Sequence, residues 1–412
     1  MSMLYRKLIA SEEQFAKDRN PFAFAQYIAT CYGIRYDPTA GVFHTSLWFS
    51  ASVLFLVLSY GYKAYWSLTH TAHNLSLFLI LCIVWELIGT VIRCKIFYRP
   101  VLVRLERFLA DRSFRGDEAV YRTARSLVQR QNNRYLVAVI FILVLETAIF
   151  VRTNLINQLE FMLVFNNTPV GGLAVQTLYG CVTCYVGSMY LINFAIISVI
   201  LNMFCVEMAI LVNSFGRIDE CFDRYRSVWD EPVRSVAREQ AFFDKLQSLF
   251  KMNVQRHVEL LEHLAQFRSI LGPFSFIQYY GTFVVIAFFC SILTNDGITK
   301  LTVIYFIFMI LLVLESYMFC HRMDNLNYLH TQIGSTLYEL NWYSQLRYSV
   351  RFASQYRQIR KTMLIIMVRA QKPLSFTING FGTISMRRFE DLMHSSYSLL
   401  TLLLQLKKRG LM

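Results

Sequence analysis

Charge is what this sequence has least of. Asp, Glu, Lys and Arg make up 17% of its 412 residues, against 55% hydrophobic and 15% aromatic. A soluble chain of this length does not easily bury that much apolar surface, so the composition points to a membrane protein. Residues 38–62 and 161–206 hold no charged side chain at all. Catalytic signatures are missing too. There is no Walker phosphate loop, no Gly-x-Gly-x-x-Gly, no Gly-x-Ser-x-Gly and no His-Glu-x-x-His, so no enzyme and no cofactor is expected. His70 and His73 stand three apart in a short outer loop without a third ligand, a pair that reads as plain loop rather than a metal site. The nine cysteines are an odd number, and Cys82, Cys181, Cys184, Cys205, Cys290 and Cys320 lie in or beside apolar runs. No disulfide framework is expected, and Cys181-x-x-Cys184 reads as helix packing. The first 37 residues are polar and charged, so no cleavable leader is expected.

What charge there is has a pattern. The net charge of +14 could suggest nucleic acid, but Lys and Arg form no binding stripe and sit between the apolar runs. They therefore speak for orientation in a membrane. Span 1 lies in 38–62, with Trp48 at one end and Tyr62, Tyr65 and Trp66 at the other as interfacial anchors. Span 2 runs from about Ala72 to Cys94 and contains Glu86, and span 3 from about Tyr135 to Val151 with Glu146 inside. Span 5 lies within 269–295 and span 6 within 301–319. The run 161–206 is long enough to cross twice, but Asn166-Asn167-Thr168-Pro169 and Gly171-Gly172 read as a loop. One long span 4 leaves 33 of the 41 Lys and Arg on one side and six on the other, with Arg387 and Arg388 at the start of span 7. A double crossing spoils that bias. The expectation is an all-α membrane protein with seven spans, its N-terminus cytoplasmic and its C-terminus extracellular.

A G-protein-coupled receptor also has seven spans, but with the opposite orientation. Asp223-Arg224-Tyr225 matches that family's tripeptide, yet it follows span 4, and span 7 has no Asn-Pro-x-x-Tyr. The match reads as coincidence. Asn166-Asn167-Thr168 is a glycosylation sequon in an expected outer loop, with Asn166 as the acceptor. The aromatic patch Pro21–Tyr32 suits a helix on the membrane surface. Between spans 4 and 5, Leu246, Leu249, Phe250, Leu260, Leu261, Leu264 and Phe267 recur at helical spacing; between spans 6 and 7, Leu326, Ile333, Leu337, Leu340 and Leu346 do so. These are helices extending below the membrane. They are expected to pack together; the alternative is that they lie on the bilayer surface, and apolar faces that cannot be buried within one subunit are expected to be buried between subunits.

Span 7 has two unlike faces. Asp391, Ser395, Ser398, Leu402, Gln405 and Leu406 fall on one side, and Met393, Tyr397, Leu400 and Leu404 on the other. A polar stripe at membrane depth either lines a water-filled path or cements packed helices. Glu86 and Glu146 are costly in a bilayer and face its protein interior, as helix-to-helix hydrogen bonds or as the lining of a cavity. Spans 2, 3, 4 and 6 bring Phe78, Phe150, Tyr190, Tyr305 and Phe308 into their outer halves, walls for a small apolar or aromatic molecule.

The last seventy-odd residues resemble the insect odorant receptor family. The resemblance is carried by Leu337-Tyr338-Glu339 with Trp342, by Gln371-Lys372-Pro373-Leu374, by Gly380, Phe389 and Ser396-Tyr397-Ser398, and by Gln405-Leu406-Lys407. It implies a seven-span ligand-gated cation channel in the plasma membrane of olfactory sensory dendrites. It also implies a heterotetramer of an odorant-selective subunit and a common coreceptor, with a central pore made by span 7. Aligned on Gln405-Leu406-Lys407, the constriction falls on Leu402, Gln405 and Leu406, with Ser398 in a wider vestibule. The family's odorant site lies among the outer halves of spans 2, 3, 4 and 6. The candidates there, Phe78, Glu146, Phe150, Tyr190, Tyr305 and Phe308, are chosen by helix position. The implied partners are the coreceptor, a small volatile apolar or aromatic odorant, permeating cations and lipid, with no nucleic acid.

Within the superfamily, gustatory receptors have Thr-Tyr, five apolar residues, then Gln-Phe. Here Ser396 replaces the Thr, and Gln405 follows Tyr397 by eight residues. The coreceptor's large insertion between spans 4 and 5 is lacking, which favours an odorant-tuned subunit. The expected organisation is one subunit: a cytoplasmic segment 1–42, spans 1–4 in 43–212, a cytoplasmic helical extension 213–270, spans 5–6 in 271–319, cytoplasmic anchor helices 321–382, and a pore-lining span 7 in 383–407.

Overall fold

A backbone crossing hydrocarbon can bond only to itself, so charge-free runs of about 20 residues or more fold as helices. A computed structural model describes residues 20–37, 42–45, 47–70, 75–97, 100–153, 161–166, 168–225, 235–296, 300–340, 342–377 and 382–408. It is almost wholly helical. After α1 (Ala23–Cys31), a small antiparallel pair, β1 (Ile34–Asp37) and β2 (Val42–Thr45), leads into α2 (Leu47–His70) and α3 (Leu75–Phe97). Next come α4 (Pro100–Ala110) and α5 (Ala119–Thr153), then a tight hairpin of β3 (Val164–Phe165) and β4 (Thr168–Pro169). The long helices α6 (Leu173–Gly216), α8 (Val236–Asp296) and α9 (Lys300–Glu339) follow, with α7 (Ile218–Arg224) between the first two. The chain ends in α10 (Trp342–Gln345), α11 (Ala353–Ala370) and α12 (Met386–Lys408).

The run considered for a double crossing is a single helix, α6, of 44 residues. Every residue from Ser188 to Leu201 is buried, so this stretch is covered on all sides and forms the axis of the bundle. By contrast α2 and α5 leave large apolar side chains such as Leu54, Leu58 and Val144 exposed. Exposed apolar faces on long helices suit contact with lipid. Among the described residues, α2, α5, α6 and α8 each contain a stretch long and apolar enough to cross a membrane.

Helix α8 has 61 residues, roughly 90 Å at 1.5 Å per residue, about three bilayer cores. It carries Pro273 without ending there. Its first half and the last half of α9 reach past the apolar region, where α4, α7 and α11 pack on them. Leu246, Phe250, Leu260, Leu264 and Phe267 on α8 are buried in the same core as Leu326, Ile333 and Leu337 on α9. These stripes pack together, as expected, and are covered within the same chain rather than lying on the bilayer surface or between subunits. Among the described residues, α11 leaves Leu364, Ile365 and Val368 exposed there, and α8 leaves Val236 and Val258 exposed. The patch expected to lie on the membrane surface also packs inward, with Phe22, Phe24, Ala25 and Ile28 buried in the main core.

Three buried charges tie this end together. Glu207 on α6 accepts from Arg125 Nε of α5 at 2.6 Å and from Arg256 Nη2 of α8 at 2.8 Å. Arg125 Nη2 also donates to the Phe114 carbonyl at 2.9 Å, and Arg256 lies 4.3 Å from the Phe108 ring centre. A buried carboxylate is tolerable only when paired and fully hydrogen-bonded. Here two guanidinium groups from two helices provide that.

Candidate functional site

Four helices leave a gap near the β3–β4 hairpin, each contributing residues from one face. From α3 come Ile83, Glu86, Leu87 and Thr90, and from α5 Leu143, Glu146, Thr147 and Phe150, both at the i, i+3, i+4, i+7 spacing of a helix stripe. Helix α6 adds a small-residue stretch around Gly187 and Ser188, so its backbone stands close to the opening. Helix α8 adds Val285, Phe288 and Phe289. The cavity measures about 220 Å³ and its lining is overwhelmingly apolar. An engineered apolar cavity of about 150 Å³ takes benzene, so this one has room for a ring with a short side chain.

Phe161, from the segment ahead of the hairpin, also lines the cavity, its ring edge-to-face with Phe150 at 4.8 Å. That segment is pinned by one buried side chain. Gln176, in the first turn of α6, accepts the Leu163 N–H at 2.7 Å and donates to the carbonyls of Leu163 and Val170 at 3.0 and 2.7 Å. At the hairpin tip Asn166 has φ +48° and accepts a hydrogen bond from Tyr62 Oη at 2.9 Å, joining the loop to α2. The sequon residue is exposed.

One turn past Thr90 on α3, Arg93 is completely buried. Its Nη1 donates to the Tyr190 carbonyl at 2.9 Å and its Nη2 to Gln278 Oε1. Its guanidinium lies 3.3 Å from the Tyr190 ring centre and 4.6 Å from that of Phe274. Gln278 Nε2 donates to Glu315 Oε2 and to Ser316 Oγ, both at 3.2 Å. This network links α3, α6, α8 and α9.

The positions expected for a ligand site divide accordingly. Glu146 and Phe150 line the cavity. Tyr190 is buried one layer away, under Arg93. The side chains of Phe78, Tyr305 and Phe308 lie outside the described residues, although their helices α3 and α9 are present. Glu86, Phe161, Phe288 and Phe289 complete the lining without having been among those candidates. Glu86 was visible as a costly intramembrane carboxylate; the contribution of α8 was not visible.

The second candidate feature is α12. Leu392 and Ser396 are buried against the bundle, and Phe389 packs edge-on to Tyr317 of α9 at 5.6 Å. Asp391, Ser395, Ser398, Leu402 and Gln405 are exposed, as are Met393, Tyr397 and Leu404 on the other face. The side chain of Leu406 lies outside the described residues. Ser395 and Ser398 donate to the carbonyls one turn back, at 2.8 and 2.9 Å, leaving lone pairs outward. The chain enters α12 through Gly382, whose φ of +104° suits glycine alone, and a bridge pairing Thr377 with Thr383. Among the described residues no group of three His, Cys, Asp or Glu is placed to hold a metal ion.

Comparison with known proteins agrees with this architecture. The family profile described as 7tm Odorant receptor matches residues 76–397. Odorant receptor 19a of Drosophila melanogaster is 24% identical over 169 residues, a match spanning 40% of this chain and 41% of that relative. The olfactory receptor OR5 of Machilis hrabei, solved in complex with eugenol, superposes with a TM-score of 0.65 at 12% identity, over 86% of this chain and 87% of that one. The same receptor in a second structure gives 0.59 at 13% identity, over the same shares of the two chains. At such identities the likeness is one of fold.

Proposed function

The chain belongs to the insect odorant receptor family, whose profile covers most of it, and on that premise we propose that it is the odorant-tuned subunit of a heteromeric, odorant-gated, non-selective cation channel. The observation that carries this reading is the 220 Å³ cavity, walled by α3, α5, α6 and α8 and lined also by Phe161. Such a concave apolar site suits a small volatile molecule. Seven crossings, by α2, α3, α5, α6, α8, α9 and α12, with the N-terminus cytoplasmic and the C-terminus outside, put this cavity in the outer half of the membrane. They also put Asn166 outside, available for glycosylation.

In this reading α12 lines a central pore with three neighbouring copies, the coreceptor among them. Its exposed Ser398, Leu402 and Gln405, with Leu406, face water and passing cations, and Leu402 and Leu406 form the constriction. The ligand opens the channel by binding the open state more tightly than the closed one. The assembly resides in the plasma membrane of olfactory sensory dendrites, surrounded by lipid along α2 and α5.

Expression with and without an insect coreceptor tests the proposal. Odorant-evoked cation current is expected only with the coreceptor and independent of G protein. A response that arises without the coreceptor and requires a G protein overturns it in favour of a metabotropic receptor.

A further inference from the structure

The cavity's polar groups are of one kind. Two carboxyl groups, Glu86 and Glu146, open onto it, while among the described residues its lining includes no Lys, Arg, His, Asn, Gln or Trp. Three of its four hydroxyl groups have already given their protons to helix carbonyls. Thr90 donates to Glu86 O at 2.8 Å, Thr183 to Tyr179 O at 3.0 Å, and Ser188 to Tyr185 O at 2.8 Å. What these groups turn toward the cavity is lone pairs. The lining accepts hydrogen bonds and offers almost none.

The neighbouring cation is shared. Arg93 donates to the Tyr190 carbonyl and to Gln278 and lies against two ring faces, and among the described residues its Nε has no hydrogen-bond partner. Its one charge acts on both Glu86 and Glu315, whereas among the described residues no such neighbour acts on Glu146. Glu86 Oε1 is buried without a hydrogen-bond partner, as are Tyr190 Oη and Trp85 Nε1. These three atoms converge on the space left by Gly281, at 3.9, 2.9 and 3.3 Å from where its Cβ would stand. A polar recess therefore sits behind Glu86. Four phenyl rings, Phe150, Phe161, Phe288 and Phe289, complete the walls, and ring faces attract cations.

From these two carboxyl groups in an otherwise apolar, acceptor-rich lining we infer that the cavity selects a small amine, held as its ammonium ion against a carboxylate, on a body of about one aromatic ring. The inference rests on the reading of this cavity as the odorant site. The ammonium donates to Glu146 or Glu86 and neutralises it, and the phenyl walls take the hydrocarbon part. A ketone or ester of the same size brings only acceptors to a lining already rich in them, and gives Glu146 no partner.

The test uses the chain assembled with coreceptor in lipid nanodiscs and four probes of one size: phenethylamine, phenethyl alcohol, acetophenone and ethylbenzene. Binding is read by displacement of a fluorescent ligand. Phenethylamine is expected to bind roughly tenfold or more tighter than phenethyl alcohol, with acetophenone weaker still. In Glu146→Gln and in Glu86→Gln that preference is expected to shrink, and in the double variant to vanish. Acetophenone or ethylbenzene binding as tightly as the amine overturns the inference, as does an amine preference that survives the double variant. Current in coreceptor-expressing cells separates the two readings. Amine binding without evoked current sinks the channel reading and leaves the amine site standing, whereas no binding by any of the four probes sinks both.

Discussion

Asp324, on α9, accepts the backbone N–H of Met386, the first residue of α12, at 2.8 Å. The first N–H groups of a helix have no partner within it, and a carboxylate there also meets the positive end of the helix dipole. Asp324 thus fastens the start of the proposed pore helix to α9, which is joined through Glu315 and Ser316 to the buried network beside the cavity. A cap of this kind is worth about 1 kcal/mol. Asp324→Ala is expected to lower the maximal odorant-evoked current while leaving odorant affinity in place. A variant with full current and weakened affinity would show that this contact does not transmit opening.

Glu207 gives the prediction with the largest effect. Its carboxylate and the two guanidinium groups on it are at most 3% exposed. Removing one partner from such a group leaves the others buried and unpaired, at about 3–5 kcal/mol. Glu207→Ala is expected to abolish folded protein at the cell surface. Arg125→Met/Glu207→Leu/Arg256→Met, which removes all three charges at similar volume, is expected to recover much of it. Surface labelling and the melting temperature of solubilised protein measure both, and a Glu207→Ala protein melting like the parent would refute the clamp.

The long helices could be read from the sequence because membrane physics turns absence of charge into helix. The buried face of α8, from Leu246 to Phe267, showed in its spacing alone. That it packs with the matching stripe of α9 was expected; that α4, α7 and α11 complete the cover did not show, because periodicity marks a buried side and says nothing about which further helix lies on it. The cavity is harder still. It exists where four helices fail to fill space, a property of no single segment. Helix position led to Glu146 and Phe150. Phe161 reaches the cavity only because Gln176 folds its loop back, and Phe288 because of how α8 is rotated. The partnership of Arg125 with Glu207 spans 82 positions in sequence and has no local signature.

His257 on α8 and His330 on α9 meet in the extension proposed to lie in the cytoplasm, with Nε2 and Nδ1 3.5 Å apart. Burial, then His330, then Arg369 push His257 down to about 4. Burial also lowers His330, against the pull of its hydrogen bonds to the Arg369 and Lys372 backbone. A base depressed on folding takes up its proton more readily when unfolded. Its contribution is therefore complete above about pH 6.5 and is lost as pH falls toward 4. At about 1.4 kcal/mol per unit, His257 alone accounts for up to about 3 kcal/mol across that window. Melting of solubilised protein between about pH 7 and pH 4 is expected to fall, and less steeply in His257→Leu. An identical slope in the variant would remove this pair as the cause.

The last prediction concerns the exposed face of α12. Leu402 and Gln405 are three residues apart and therefore neighbours on the helix surface. Leu402 is 51% exposed in the single chain, so several such helices around one axis would bring leucines together as a ring that dewets when narrow. A positive charge beside that ring opposes cation entry. At 4 Å and an effective dielectric of 20 the repulsion is about 4 kcal/mol, and even a quarter of that reduces current about fivefold. Gln405→Lys is therefore expected to cut cation current severalfold with the odorant rank order unchanged. Leu402→Ala should act in the opposite sense, raising the current that flows without odorant, because a wider and less apolar ring stays wet. Whole-cell recordings with the coreceptor present measure both. The two effects must differ in sign, since a general loss of folding lowers both currents together, whereas only a residue at the constriction can raise the resting one. Unchanged permeation in both variants would move the pore off this face of α12.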